Sequence, residues 1–499
     1  MRKDSIVKVL AVGNYACANI GDELLLATLK QWVEAEGGEL TAITLNPAHT
    51  KALHGIDAVS YYDLPAIAAK AREADIMVLG GGGIFTDRFK FTLPQLYTYP
   101  AFTLAQFAAV CYLAKQFDLL LVLWGQGVGP LTTADARQIV ADLFKVADHV
   151  TVRDPGSAGL LRELGVARAV AVAPDPIWAM TLPARGIDLR ARFPELAGKK
   201  ILIVNPLVFE RSAEMSEKLS VALQRVLDDD WACLWVAFQK STLNYDDYHF
   251  SMPSDRPLIE KMVAQVGPCC PHVIWDEPHI EELLPAFGQA EAAVMARFHG
   301  TILGLRARLR LVVIEYDDKV SQAAEMVGVP ASQRLKITDT VDAYITALRR
   351  LLGKQPDISP WRPEAGILEA LAKAAEAHRQ PITEAIASAR TRTRAGWQSG
   401  RYDWLLAWST QIEAKRWDAQ RKLWKLTGEF TLVSHRLEEQ LRLNAALNQE
   451  LDSIRKQVEG SNSLPTTVSG TDTTEIKPPV MKISALLSRL GAKLFRGKF

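Results

Sequence analysis

A chain of 499 residues has room for roughly two to three domains, and its hydrophobic fraction of 48% can fill large cores. Its 58 basic and 57 acidic residues leave a formal charge of +1, which excludes the strongly basic surface of a general nucleic-acid coat. No stretch reaches the ~20 apolar residues of a membrane span. The five cysteines, Cys269 and Cys270 adjacent among them, read as free or buried thiols of a reducing compartment and not as a disulfide framework or a zinc set.

The first predicted element is a strand over Ile6–Val12. Lys8 interrupts its apolar run and no small-residue cleavage site follows, so it does not read as a secretory signal. A helix follows over Asp22–Glu36, with Leu24, Leu25, Thr28, Leu29 and Trp32 at helical spacing. Between the two lies Gly13-Asn14-Tyr15-Ala16-Cys17-Ala18-Asn19-Ile20-Gly21-Asp22-Glu23, a loop that can turn backbone N–H groups toward a ligand. Asp22 and Glu23 suit a first helical turn by dipole complementarity, and equally suit contact with sugar hydroxyls or activation of one.

Strands are predicted next over Leu40–Leu45 and Ile76–Leu79, the second running into Gly80-Gly81-Gly82-Gly83. The spacing matches neither the dinucleotide fingerprint nor a Walker loop, which leaves an anion, a sugar or a tight turn. The run Leu119–Trp124 reads as a buried strand ending in the turn Gly125-Gln126-Gly127-Val128-Gly129-Pro130. Strands over His149–Val152 and Ala169–Ala173 complete the series. Arg153, at the end of the first of these, can fork onto a carboxylate or phosphate, or pair with an acid such as Asp154. Strand–helix alternation of this kind implies a parallel sheet covered on both faces.

After a connection over 181–198 the pattern restarts. Strands are predicted at Lys200–Asn205, Ala232–Phe238, Val273–Trp275, Ala292–Met295 and Leu311–Glu315, with helices at Ala213–Leu227 and Glu281–Gln289. Arg297 and His299 follow one strand. Two apart in an extended segment, they point to one side, a cation beside a proton-transfer group. Lys319 follows the next strand, at the same sheet edge. No histidine or cysteine spacing of a metal set and no serine-nucleophile elbow occurs. Domains are therefore expected at 1–185 and 199–353, facing each other across a cleft.

Beyond Gly353 the prolines 356, 360 and 363 mark a linker, and 364–458 reads as a charged helical extension. Leu437, Leu441, Leu447, Leu451, Ile454 and Val458 approximate an a/d seam, fitting a short coiled coil or a helix packed on its own protein. Residues 459–479 have a disordered composition, and 480–499 form a basic amphipathic pattern that suits an anionic membrane surface, a frayed tail or a docking helix.

Taken in order, Asn19-Ile20-Gly21-Asp22-Glu23, Gly81-Gly82-Gly83-Ile84-Phe85, Gly125-Gln126-Gly127-Val128-Gly129-Pro130, Val152-Arg153-Asp154, Arg297-Phe298-His299 and Tyr316-Asp317-Asp318-Lys319 resemble the polysaccharide pyruvyl transferase family. Phe298 stands where the family commonly has leucine. The resemblance implies an α/β architecture of two Rossmann-like domains, glycosyltransferase-B-like. It implies phosphoenolpyruvate as co-substrate, with no further cofactor, and a sugar diol of a bacterial surface polysaccharide as acceptor, free or lipid-linked. It makes Arg153, Arg297 and His299 catalytic or donor-binding. Lys319, Gly81, Gly82, Gly83, Gln126 and Gly127 are then expected on the donor side, and Asn19, Asp22 and Glu23 on the acceptor side. The expected setting is the cytoplasm, at the inner face of the plasma membrane if 480–499 docks there, with the helical extension available for self-association. Two other readings stay open: a nucleotide-sugar glycosyltransferase of the same fold, and a non-enzymatic assembly protein acting through its helical tail.

Overall fold

The computed structural model describes residues 6–393, apart from 18, 88–89, 98–102, 182–184, 240–242, 246–247, 251–253, 277 and 356–359. All of them belong to one compact unit, Met1–Leu426. The expected seam after residue 436, the 459–479 segment and the 480–499 helix lie outside the described residues.

The N-terminal domain is an eight-stranded sheet in the order β3-β2-β1-β4-β6-β7-β8, with β5 beside β6. Its strands are β1 (Val7–Val12), β2 (Gly38–Thr44), β3 (Asp57–Ser60), β4 (Ile76–Leu79), β5 (Gly82–Phe85), β6 (Leu120–Val128), β7 (His149–Val152) and β8 (Ala171–Val172). Their pairings are parallel. Helices α1 (Ile20–Ala35), α2 (Pro47–His54), α3 (Leu64–Glu73), α4 (Leu104–Gln116), α5 (Ala134–Val146) and α6 (Pro155–Glu163) return the chain between strands. The two sheet faces feed two different cores. Val9 and Ala11 of β1 face α1, while Leu10 and Val12 face α3 and α4, the period-two split that both-face burial demands. The strand expected to stop at Trp124 runs on to Val128, so Gly125-Gln126-Gly127 is strand and not turn.

Helix α7 (Leu189–Arg192) lies in the connection to the C-terminal domain. That domain's six-stranded sheet has the order β13-β10-β9-β14-β15-β16. Here β9 is Lys200–Asn205, β10 Trp231–Val236, β13 His272–Trp275, β14 Ala292–Met295, β15 Arg310–Glu315 and β16 Arg334–Lys336, while β11 (Leu243–Tyr245) and β12 (Tyr248–Phe250) form a separate hairpin. Its helices are α8 (Ser212–Val226), α9 (Arg256–Val266), α10 (Ile280–Phe287), α11 (Phe298–Arg306), α12 (Asp318–Met326) and α13 (Val341–Leu351).

After α13 the chain crosses back. Helices α14 (Ala365–Ala375) and α15 (Arg379–Thr391) pack on the N-terminal domain instead of standing apart as an extension. Ile382, Ala385 and Ile386 of α15 join the same core cluster as α1 and β1. Arg379 pairs with Glu36 at 3.0 Å and Arg390 donates to the Glu36 carbonyl at 2.6 Å. Among the described residues no helix is long and apolar enough to cross a membrane.

Candidate active site

In parallel α/β sheets the strand carboxyl ends open into helix amino ends, and ligands collect there. Both sheets present those ends to one cleft of about 810 Å³. From the N-terminal domain come Asn19 and Asp22 at the start of α1, Gly82 and Gly83 on β5, Gly127 on β6, and Arg153 just past β7. From the C-terminal domain come Arg297, Phe298 and His299 at the start of α11, and Tyr316 through Lys319 between β15 and α12. Three residues expected at the site do not line this cleft. Glu23 is buried, accepting from the Ala16 N–H at 2.7 Å and meeting His54 Nε2 at 2.7 Å. Gln126 is buried too, its amide donating to the carbonyls of Leu79, Gly80 and Trp124, so it fixes strand ends and not a ligand. Gly81 sits between Leu25 and the Gly125 carbonyl, which it allows to approach closely.

The centre of the cleft is organised by Asp175, which follows β8 within Pro174-Asp175-Pro176 and is buried. Its Oδ2 accepts from Arg153 Nη1 at 3.1 Å and lies 3.6 Å from His299 Nε2; its Oδ1 accepts from the Ile177 N–H at 3.1 Å. Arg153 thus pairs with Asp175 and not with neighbouring Asp154, whose carboxylate caps α6 on Ser157. Burial pushes Asp175 up, but His299 and the Arg153 guanidinium outweigh it and hold the carboxyl well below its usual range. The guanidinium is sandwiched. A side chain at Gly127 would collide with it from one side, and the Phe298 ring stacks on it with 4.7 Å to the centroid.

His299 is nearly enclosed, and its Nε2 has no hydrogen-bond partner among the described residues. The other ring edge rests on α1, where a Cβ at Gly21 would overlap Nδ1. That contact gives the Asn19-Ile20-Gly21-Asp22 stretch a reason for its glycine. Burial pushes the imidazole below its usual range; Asp175 pulls it back up, and Arg153 and Lys319 add to the lowering.

Arg297 and His299 both line the cleft, although the segment that carries them is not extended: the strand ends at Met295 and the helix starts at Phe298. Arg297 turns to Asp255, forming a fork of 2.8 Å from Nε and 2.5 Å from Nη2. Asp255 is buried and also accepts from the N–H groups of Phe238 and Gln239. Lys319 Nζ lies 3.4 Å from Asp317.

Of the helices that open on the cleft, α1, α6 and α12 carry side-chain caps from Asn19, Asp154 and Asp317. Helix α11 has none, so the N–H groups of its first turn, Phe298 to Gly300, have no partner among the described residues. A phosphate or carboxylate fits that vacancy in hydrogen bonding. Asp22 lines the cleft as well, and its carboxylate makes no hydrogen bond or ion pair among the described residues. Burial, and then neighbouring Glu23, raise it to about 7 against the pull of Arg153, Lys319 and Arg297.

Away from the cleft, Cys233, Cys270 and His272 bring three ligand atoms within 4.8 Å of one another. The sequence could not show this, since β10 and β13 meet only in the fold. The His272 ring is already engaged at both nitrogens, accepting from Trp235 Nε1 at 3.2 Å and donating to the Gly267 carbonyl at 3.0 Å. All five cysteines are free thiols.

Sequence reasoning missed Asp175 and Asp255. Asp175 had a readable signal, an acid between two prolines just past a predicted strand. Asp255 had none, since its partner lies 42 residues away.

Comparison with known proteins bears on the fold and the family. No curated protein sequence matches the chain. Solved structures share its fold at low identity. The MnaA–UDP complex of S. aureus has 11% identity and a TM-score of 0.50, covering 78% of this chain and 99% of that one. Sucrose-phosphate synthase from Thermosynechococcus elongatus has 12% identity and a TM-score of 0.47, covering 76% and 96%. The UDP-GlcNAc 2-epimerase of Neisseria meningitidis, bound to UDP-GlcNAc, has 9% identity and a TM-score of 0.47, covering 77% and 100%. The architecture is glycosyltransferase-B-like, two Rossmann-like domains with helices returning to the first. A family model for polysaccharide pyruvyl transferase matches residues 19–318, more than half of the chain and most of the cleft lining described above, Lys319 lying one residue beyond it. The chain belongs to the polysaccharide pyruvyl transferase family.

Proposed function

We propose that the cleft transfers the enolpyruvyl unit of phosphoenolpyruvate onto two hydroxyls of a surface-polysaccharide sugar, giving a pyruvate ketal and inorganic phosphate. One observation carries the reading: Arg153 of one domain and His299 of the other meet at a single buried carboxylate, Asp175, inside a cleft that Arg297 and Lys319 also line. Phosphoenolpyruvate brings a carboxylate and a phosphate. Arg153, Lys319, the free edge of Arg297 and the uncapped start of α11 offer charge and N–H donors for both.

The proton balance assigns the rest. The acceptor diol gives up two protons; one ends on the methylene carbon, which becomes methyl, and the other leaves on phosphate. His299 is neutral in the free cleft. The negative charge of an arriving donor raises its basicity, so it takes a proton on donor binding and delivers it to the methylene carbon. The C2 centre becomes oxocarbenium-like, the first hydroxyl oxygen bonds to it, and the C2–O bond to phosphate breaks. The second hydroxyl then closes the ketal. Asp22, unpaired and raised to about 7, takes the proton of the attacking hydroxyl.

The test is incubation of the full-length protein with phosphoenolpyruvate and lipid-linked or synthetic glycans, reading phosphate release and the mass gain of the glycan. Turnover is expected, with a loss of about 10²-fold or more in His299→Ala. Near-normal turnover by that variant removes the role given to His299. Thermal stabilisation by a nucleoside diphosphate, and none by phosphoenolpyruvate, would instead favour a nucleotide-sugar glycosyltransferase.

A further inference from the structure

Residue 378 lies beyond the family match, in the segment that crosses back from the C-terminal domain, yet its side chain reaches the strand ends that build the cleft. His378 sits between α14 and α15 and is fully buried. Both ring nitrogens are engaged. Thr151 Oγ1 accepts from the Gly125 N–H at 2.9 Å, so its own proton is directed to His378 Nδ1 at 2.8 Å. That leaves Nε2 as the N–H donor, to the Pro174 carbonyl at 2.9 Å and more loosely to Ala173 at 3.3 Å. In return, the main chain of His378 accepts from Trp124 Nε1 at 2.9 Å.

Two routes lead from this ring to the site. The Pro174 carbonyl belongs to the peptide unit that joins Pro174 to Asp175, so the His378 N–H fixes the plane from which the Asp175 side chain projects. Thr151 and Gly125 lead to Gly127, against which the Arg153 guanidinium lies. The imidazole itself touches neither a cleft atom nor open solvent. Its environment keeps it neutral: burial pushes it below the usual range, only partly offset by the charge of Asp175 and the two carbonyls.

We propose that His378 is a positioning residue for this active site, holding Asp175 where it orients both Arg153 and His299. The helices α14 and α15 are then part of the catalytic apparatus. The proposal rests on the role given to Asp175 under the proposed function, but its test does not need the substrates.

The test follows His299 by histidine-ring NMR on the full-length protein, with the His299 signal identified from a His299→Gln spectrum. The charged groups that set this titration are Asp175, Arg153 and Lys319. In His378→Leu, which removes the N–H donor, Asp175 drifts and its upward pull on His299 weakens, so His299 titrates at lower pH than in the wild type. In His378→Gln, whose amide keeps one donor and one acceptor, the titration returns toward the wild-type position. Turnover in the leucine variant falls by about ten- to a hundred-fold, with kcat affected more than KM, the pattern of a misplaced reacting group. If His378→Leu does not fold, Thr151→Val, which frees the other side of the ring, gives the same downward movement of His299. A folded leucine or valine variant with an unmoved His299 titration overturns the proposal. Absence of phosphoenolpyruvate turnover in the wild type would sink the proposed reaction and leave this measurement standing.

Discussion

At the scale of single residues, Phe298 is where this chain departs from the family pattern, and the structure gives the departure a use. Its ring carries the Arg153 guanidinium at 4.7 Å and lies 5.0 Å from the His299 ring. Leucine at this position keeps the apolar contact and loses the π face, a contribution of ~0.5–2 kcal/mol for a shielded cation–π pair. Phe298→Leu is therefore expected to weaken phosphoenolpyruvate binding by about two- to thirty-fold in calorimetric titration, with acceptor binding unchanged. Equal donor affinity in the two proteins would show that Asp175 and Gly127 suffice to hold Arg153. Asp22 makes a pH prediction. A base must be deprotonated to work, and burial raises Asp22 to about 7, so kcat/KM should rise with pH through a limb centred near 7. In Asp22→Asn the overall rate drops and that limb disappears; a limb that persists belongs to another group.

Much of this chemistry was legible in the sequence, because Arg153, Arg297, His299 and Lys319 each stand just past a predicted strand, and parallel sheets put such positions at one edge. What was illegible was the set of partners distant in sequence. Asp175, Asp255 and His378 lie 22, 42 and 227 residues from the side chains they bond to (Arg153, Arg297 and Thr151), and no periodicity reports contacts over such distances. Glu23 and Gln126 illustrate the opposite error: polar residues within a functional-looking stretch that are buried to satisfy backbone groups.

At the scale of elements, most core strands followed from short apolar runs and were placed to within a residue or two, while the short β3, β5 and β16 and the order of the strands in each sheet were not read from the sequence. The departures have physical causes. Gly125-Gln126-Gly127 stays in β6 because this stretch pairs with β5 on one side and β7 on the other, and the Gln126 amide bonds three neighbouring carbonyls. The return helices were read as an extension because composition does not show which core an apolar face joins. Ile382, Ala385 and Ile386 of α15 are buried against the N-terminal domain, each contributing up to about 1.5–3 kcal/mol for a large aliphatic side chain and less for alanine. A chain ended at 353 should consequently lose several kcal/mol of stability and express as an aggregated or low-melting protein. A chain ended at 426 keeps the whole compact unit and should retain the wild-type thermal transition. Equal melting temperatures for the two truncations would show that α14 and α15 contribute nothing to the N-terminal core.

At the scale of the whole molecule, the two sheets are stitched together at the cleft floor. The Ile20 N–H donates to the Phe238 carbonyl at 2.9 Å, and Gln239 Nε2 to the Cys17 carbonyl at 2.8 Å. Beside these bonds lies the contact between Gly21 and His299. Gly21→Ala leaves the helix content unchanged but sets a methyl against the imidazole, so the two domains must part or the ring must swing away. Small-angle X-ray scattering is expected to report a larger radius of gyration for this variant, and turnover a loss of about 10²-fold. A compact, fully active Gly21→Ala protein would mean that the ring yields at no cost.

In the proposed reaction, an imidazole of one lobe resting on a bare α-carbon of the other would tie proton delivery to the close approach of the two domains. Were the lobes to swing apart, His299 would be bathed in solvent and separated from Asp175, and an activated enolpyruvyl group would be open to destruction by water. Under the proposed reaction, the missing side chain at position 21 lets the two domains meet closely enough to leave little room for water beside the imidazole.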